Sequence, residues 1–180
     1  MLPVYSRMVL LKLKIYFRII LFFILILFFN SCDNIFSPRL DNSTATSILT
    51  DQKTVEGVFQ NFKYAYTFKD TTVYGNLLAQ DFVFTYRDYT SGFDESWDRA
   101  TDMRTTNGLF RNSQKLEVVW NNIIFQGGDS LEQNVKRSFN FTITFNPGDV
   151  VRINGFADMN FHRNSTDEVW RIIRWRDESF

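Results

Sequence analysis

The chain has 180 residues, enough for one domain behind a processed leader. Lysine plus arginine and aspartate plus glutamate stand at 20 each, but Arg7, Lys12, Lys14 and Arg18 precede the first acid, so the rest of the chain sets 16 bases against 20 acids. That acidic remainder excludes a general nucleic-acid binder, which needs a clustered basic surface, and the phenylalanine-rich, proline-poor composition excludes a disordered chain.

The first element is a leader. Basic residues stud the first eighteen positions, and an uninterrupted apolar run of 11 residues follows at 19–29. A helix needs about 20 residues to span a bilayer, whereas a secretory apolar region needs about 7–15. Asn30-Ser31-Cys32 comes next, and Cys32 is the single cysteine, so no disulfide framework or cysteine-based zinc site can form within the chain. A small residue before cysteine at the end of such a run resembles the lipobox of bacterial lipoproteins, with Phe29 and Asn30 standing where Leu and Ala or Ser are usual. The resemblance implies a signal peptide over residues 1–31, cleavage between Ser31 and Cys32, and acyl chains such as palmitate on Cys32. It places the mature protein in the cell envelope, on the outer membrane or the periplasmic face of the inner one; Asp33 resembles an inner-membrane retention signal in some lineages. The alternative is an uncleaved anchor with an incidental cysteine, and Met8 is a second candidate start. Residues 32–49 read as the lipidated cysteine and a polar, flexible tether.

The domain proper runs over residues 50–180. Val55, Val58, Phe59, Phe62, Ala65 and Tyr66 make one apolar stripe at helical spacing, with Thr50 or Asp51 as cap. Asp70 breaks that helix and caps a shorter one over 72–79, with Val73, Leu77 and Leu78 inward. Residues 81–87 are aromatic and β-branched and read as a strand. A polar loop over 88–95 leads to a helix over 96–110, with Asp94, Glu95 and Asp98 at its positive end and Gly108 at its close. Strands then follow over 116–125, 135–145, 150–161 and 169–176. The turn sequences between them lie at 126–129, 146–149 and 164–167, and Pro147-Gly148 suits a type II turn. Phe139, Phe141, Ile143 and Phe145 alternate with polar residues, as a half-buried strand does. Val151, Ile153, Ala157, Met159 and Phe161 share one face of the next strand, where Gly155 predicts a bulge or bend.

Helices followed by long strands predict an α+β fold, with N-terminal helices packed on a strongly curved antiparallel sheet, a cone-like roll of cystatin type. The order helix–helix–strand–helix–four strands resembles the nuclear-transport-factor-2-like superfamily. So do Leu77-Leu78-Ala79-Gln80-Asp81-Phe82 leaving the second helix and Trp170-Arg-Ile-Ile-Arg-Trp-Arg-Asp177 closing the chain. That is the cone shared by SnoaL-type cyclases, ketosteroid isomerases and scytalone dehydratase, and the resemblance covers residues 50–178. It implies a base, carboxylate or histidine, and often a tyrosine inside the cone; it does not imply a reaction.

The candidates are few. His162 is the sole histidine, at a strand end on the polar face with Arg152, Asn154, Asp158 and Asn160. Asp158 and His162 stand four strand residues apart, about 13 Å, too far for an acid–base pair that needs roughly 3 Å. Tyr66, Tyr86, Trp97, Trp120 and Phe141 are the candidate lining of a cavity for a small apolar ligand, although such aromatics also make plain core. Arg171, Arg174 and Arg176 form a basic strip flanked by Asp167, Glu168, Asp177 and Glu178, as a cross-paired solvated strand does. There is no phosphate loop, dinucleotide fingerprint, nucleophile elbow or metal-ligand spacing, so no catalytic set, cofactor or metal is expected. The expectation is a membrane-tethered, non-catalytic domain that binds a small ligand or acts as an adaptor. The alternatives are a cone-pocket isomerase, dehydratase or cyclase acting by proton transfer on a small apolar substrate, and a structural subunit that dimerises through its sheet face.

Overall fold

Residues 48–179, together with residues 16 and 17, are described by the computed structural model of the chain. The leader, Ser31, Cys32 and most of the tether therefore lie outside the described residues. The chain divides into a unit Met1–Ala45 and a unit Thr46–Phe180. Tyr16 and Phe17 of the first are helical and exposed; all that follows belongs to the second.

Helix α1 (Val55–Phe68) is capped by Thr54, whose side chain accepts from the Gly57 amide. Thr50, expected as cap, has another task. Its hydroxyl donates to the Gly57 carbonyl, and its amide and carbonyl bond the Asn61 side chain. A β-carbon on Gly57 would stand 2.7 Å from the Thr50 hydroxyl, so this close approach requires glycine. The helix ends at Lys69, which takes a left-handed conformation at φ 56° and lets the Asp70 amide reach the Ala65 carbonyl.

Asp70 caps α2 (Thr71–Leu77) through bonds of 2.9 Å from Thr72 and Val73. The chain then passes directly into β1 (Leu78–Asp88), three residues earlier than expected. Where a loop over 88–95 and the start of a helix at 96 are expected, Phe93–Asp98 forms β2, paired antiparallel with β1. Thr85 and Ser96 share a hydroxyl bond of 2.8 Å across this pair, and Arg87 meets Asp94 at 3.1 Å. As an edge strand exposed almost throughout, β2 has no apolar period that a sequence could reveal. Asp94 and Glu95 therefore sit in a strand, and Asp98 alone caps α3 (Arg99–Asn112), accepting from Thr101 at 2.9 Å. The helix runs through the half-buried Gly108 for one more turn.

Strands β3 (Lys115–Gly128), β4 (Glu132–Asn146), β5 (Asp149–His162) and β6 (Arg171–Ser179) complete a six-stranded sheet of order β2-β1-β6-β5-β4-β3. The expected sheet was wholly antiparallel. The observed one is mixed, because β6 inserts between β1 and β5 and runs parallel to β1. A parallel pair needs a long crossover, and all the chain from β2 to β5 supplies it. Gly148 keeps a negative φ, so the turn before β5 is not type II; Asn146 closes it by accepting from the Gly148 amide. Gly155 carries no bulge either. A β-carbon there would lie 2.4 Å from the Ser179 α-carbon, so glycine lets the end of β6 press against β5. The bulge falls in β6, where Ile173 is the extra residue between Ile172, paired with Phe161, and Arg174, paired with Asn160.

The three helices pack against the curved sheet in the expected α+β arrangement. Val58, Phe59, Phe62, Ala65 and Tyr66 of α1 bury against Val118, Phe139, Met159 and Phe161. Each of the valine, phenylalanine and methionine side chains so removed from water contributes about 1.5–3 kcal/mol.

Candidate ligand-binding cavity

Between α1 and the sheet the core does not close. A cavity of about 140 Å³ remains, walled by Phe62 and Tyr66 from α1, Val118 and Trp120 from β3, Phe139 and Phe141 from β4, Ile153 from β5 and Trp175 and Asp177 from β6. Its size approaches that of an engineered apolar cavity of about 150 Å³ that holds benzene.

The walls are fixed by ring contacts. Phe62 stacks on Tyr66 at 4.6 Å and meets Trp120 and Trp175 edge-on at 5.3 and 5.4 Å. Tyr66 meets Phe141 edge-on at 5.4 Å. The Trp120 indole is held by donating to the Phe59 carbonyl at 3.0 Å. Edge-to-face pairs of this kind each contribute about 0.5–1.5 kcal/mol beyond the area they bury.

The polar end of the cavity belongs to β6. Asp177 receives the Ser179 amide at 3.1 Å on one oxygen and the Ser179 hydroxyl at 3.2 Å on the other. Burial raises its pKa above the usual carboxylate value, and the Ser179 bonds oppose that shift in part. Trp175, two residues back on the same face, buries its indole N–H without a hydrogen-bond partner. A buried donor left unmatched costs about 1–3 kcal/mol, which the packing of the surrounding rings must offset.

A second polar group lies behind the Tyr66 wall. Asp102 of α3 is 3% exposed and accepts the Tyr74 hydroxyl at 2.6 Å and the Trp97 indole at 2.9 Å. Burial raises its pKa, and the two donors pull the other way. The Tyr66 and Tyr74 hydroxyls are both raised, first by burial; the charge of Asp102 adds to the shift in each, and that of Tyr66 adds to it in Tyr74. Asp102 thus ties α3 to α2 and β2 and holds the wall in place.

Of the residues proposed from sequence, Tyr66, Trp120 and Phe141 line the cavity. Tyr86 and Trp97 do not: they gather about Phe84, with Trp97 stacked on it at 4.6 Å. His162 and Asp158 lie on the outer face of the sheet. His162 stands 3.8 Å from Glu132 and 3.3 Å from Asn164, and Asp158 accepts from Asn134 at 2.6 Å. The arginine strip is cross-paired, Arg176 to Asp94 at 2.8 Å and Arg171 to the Asn76 carbonyl at 2.6 Å.

Asp177 and Asp102 escaped the sequence reading. By sequence Asp177 belongs with the solvent-side acids, yet Trp175 and Asp177 alternate with Arg174 and Arg176, which puts the tryptophan and the aspartate on one face. Asp102, Thr106 and Phe110 recur at four-residue steps, and all three are buried on one stripe of α3. Among the described residues no cluster of three or more metal-ligating side chains occurs, and no helix is long and apolar enough to cross a membrane.

No family model and no curated protein matches the sequence. Solved structures do match. A conserved protein of Planctomyces limnophilus superposes with a TM-score of 0.61 at 15% identity, covering 70% of this chain and 93% of its own. A provisionally assigned scytalone dehydratase of Novosphingobium aromaticivorans gives 0.60 at 14% identity, covering 70% and 81%. A provisionally assigned dehydratase of the NTF2-like family from Streptomyces avermitilis gives 0.54 at 14% identity, covering 68% and 92%. Identities this low speak for architecture alone, and with three helices against a curved, mixed six-stranded sheet they show that the chain has the cone fold of the nuclear-transport-factor-2-like proteins.

Proposed function

We propose that the chain is a lipid-anchored protein of the bacterial cell envelope whose cone binds a small apolar ligand without transforming it. The observation that carries the binding reading is the cavity itself: aromatic walls, one carboxylate, and a volume near that of a single ring. Such a chamber buries most of a small ligand's surface and orients it through a few polar atoms. The anchor reading rests on the leader and Cys32.

The test is thermal unfolding of the full chain in lipid nanodiscs, with and without toluene. A ligand at 100 times its dissociation constant adds about 2.7 kcal/mol of stability and raises the midpoint. Ile153→Trp fills the cavity and abolishes that rise. No rise in the wild type, or an equal rise in Ile153→Trp, refutes binding in the cone. The anchor is tested separately: Cys32→Ala leaves the protein at precursor size and without acyl chains, and a variant that still incorporates labelled palmitate refutes it.

A second reading is favoured by one observation, the burial-raised pKa of Asp177 beside the cavity. A carboxylate so placed is a candidate proton acceptor for an acidic C–H of a bound small substrate, in the manner of an isomerase or dehydratase. Two of the structural neighbours carry dehydratase assignments, which is compatible with this chemistry. Hydrogen–deuterium exchange into small cyclic ketones, accelerated by the wild type and not by Asp177→Asn, would establish it.

A further inference from the structure

We infer that the end of the sheet bearing the β3–β4 turn docks on a bilayer surface, with Ile123, Ile124, Phe125 and Leu131 seated among zwitterionic lipid headgroups. This rests on the anchor reading above and deepens it by naming the surface that faces the lipid.

The apolar arm lies at an edge of the sheet. β3 is an outer strand, and its residues 118–128 carry no charge, whereas β2 at the other edge carries Asp94, Glu95 and Asp98. Charge of that kind is how sheet edges are commonly guarded. Ile123, Ile124 and Phe125 are 47%, 55% and 54% exposed. Successive strand residues point to opposite faces, so three exposed in a row project apolar side chains from both faces. Phe125 leans toward the turn, since a β-carbon on Gly127 would stand 2.9 Å from its ring. Leu131 is exposed in the turn itself.

A second copy pairing strand to strand is the rival occupant, and the backbone disfavours it. Register shifts interrupt β3 between Trp120 and Phe125. The carbonyl of Asn121 already accepts from the Arg137 Nε at 2.9 Å, and that of Asn122 from the Ser138 hydroxyl at 3.3 Å. A pairing strand needs a regular ladder of free groups. A lipid surface needs apolar side chains and backbone groups met from within.

The chain enters the domain at this same end. The Trp170 amide donates to the Gln52 carbonyl at 2.9 Å, and the Gln52 side chain donates to the Trp170 carbonyl at 3.1 Å. The Arg163 guanidinium lies 4.4 Å from the centre of the Trp170 ring and donates to the Ser130 carbonyl at 2.7 Å, while its amide donates to the Leu131 carbonyl at 3.0 Å. Entry segment, 163–170 loop and β3–β4 turn are thus neighbours. Residues 33–47 separate Cys32 from Ile48, and a flexible coil of that length spans about 20 Å. The 15 residues of β4 alone span about 45–50 Å. An anchor at Cys32 therefore favours the turn end for the lipid over the far end, where Tyr89 bonds Ser179 at the close of β6. Asp129 and Glu132 flank the exposed Leu131 and select a zwitterionic surface over an anionic one.

The mature chain, produced in a bacterium that processes lipoproteins and reconstituted in nanodiscs of phosphatidylethanolamine and phosphatidylcholine, carries an environment-sensitive fluorophore on Leu131→Cys or, separately, on Tyr89→Cys, with the unsubstituted chain as blank. Lipids bearing a nitroxide just below the headgroups quench probes seated roughly 5–10 Å into the interface, the depth of a docked apolar face. The probe at position 131 is expected to shift to the blue and lose most of its emission; the probe at position 89 keeps both. Ile124→Glu and, separately, Phe125→Gln restore the emission at position 131 with the unfolding midpoint unchanged, and Phe93→Glu at the far end does not. An unquenched probe at 131, equal quenching at both positions, or quenching that survives Ile124→Glu and Phe125→Gln overturns the docking surface and leaves the anchor standing. A blue shift without quenching means that a second copy covers the arm, and overturns it equally. A chain that fails to copurify with nanodiscs overturns the anchor reading and this inference with it.

Discussion

The bond between Tyr74 and Asp102 braces the Tyr66 wall from behind, and its removal can be followed quantitatively. Tyr74→Phe deletes a 2.6 Å bond to a carboxylate that is 3% exposed and leaves Asp102 with only the Trp97 indole. A hydrogen bond to a charged group contributes about 1.5–3 kcal/mol net, so a loss of about 2 kcal/mol is expected. In a domain of this size that lowers the melting midpoint by roughly 6–10 °C. Asp102→Leu goes further, because it orphans two buried donors, and about 3–4 kcal/mol is expected after crediting the charge no longer buried. Urea unfolding of Tyr74→Phe, Asp102→Asn and the double variant gives the coupling between the two residues, expected at about 1–3 kcal/mol. The pH dependence has a definite sign. The folded pKa of Asp102 is raised, so the stability linked to its protonation is fully present below the unfolded value near 3.8 and is lost as pH rises through the folded value. Tyr74 favours the charged form, so its removal costs more at neutral pH than below the folded pKa. A coupling energy near zero, or a Tyr74→Phe penalty that grows on acidification, would refute the reasoning.

Three further outcomes follow from the geometry. Gly155→Ala places a β-carbon 2.4 Å from the Ser179 α-carbon and 2.6 Å from the Glu178 carbonyl, so it should displace the end of β6. A loss of stability of about 2 kcal/mol or more is expected in chemical denaturation, with weaker ligand binding, since Ser179 holds Asp177. Asp98→Ala removes the α3 cap and should cost about 1 kcal/mol, while Asp98→Asn should cost far less; equal losses would show that the 2.9 Å bond to Thr101 is not the cause. Burial raises the folded pKa of Asp177, so the stability linked to its protonation is fully present below 3.8 and is lost as pH rises through the folded value; Asp177→Asn should flatten that part of the pH–stability profile, and an unchanged profile would show that the buried charge is not its cause.

Much of the architecture was legible in the residues. The α1 stripe, the Asp70 break, the alternation along β4 and the turns before β4 and β5 are local patterns, and local physics sets them. Two kinds of feature were not legible. The first is pairing: β2 is exposed except at Trp97 and carries no period, and the parallel seat of β6 against β1 is a long-range choice. The second is sidedness. Which face of β6 points inward depends on the single extra residue at Ile173, which reverses the alternation beyond it and carries Asp177 into the cone. Sequence alone therefore determined that helices and long strands would enclose an aromatic interior. Only the tertiary structure decided that this interior stays partly open and that an aspartate faces it. A cavity is the space left when surfaces from five separate elements meet, and no local pattern in any one of them encodes how closely they approach.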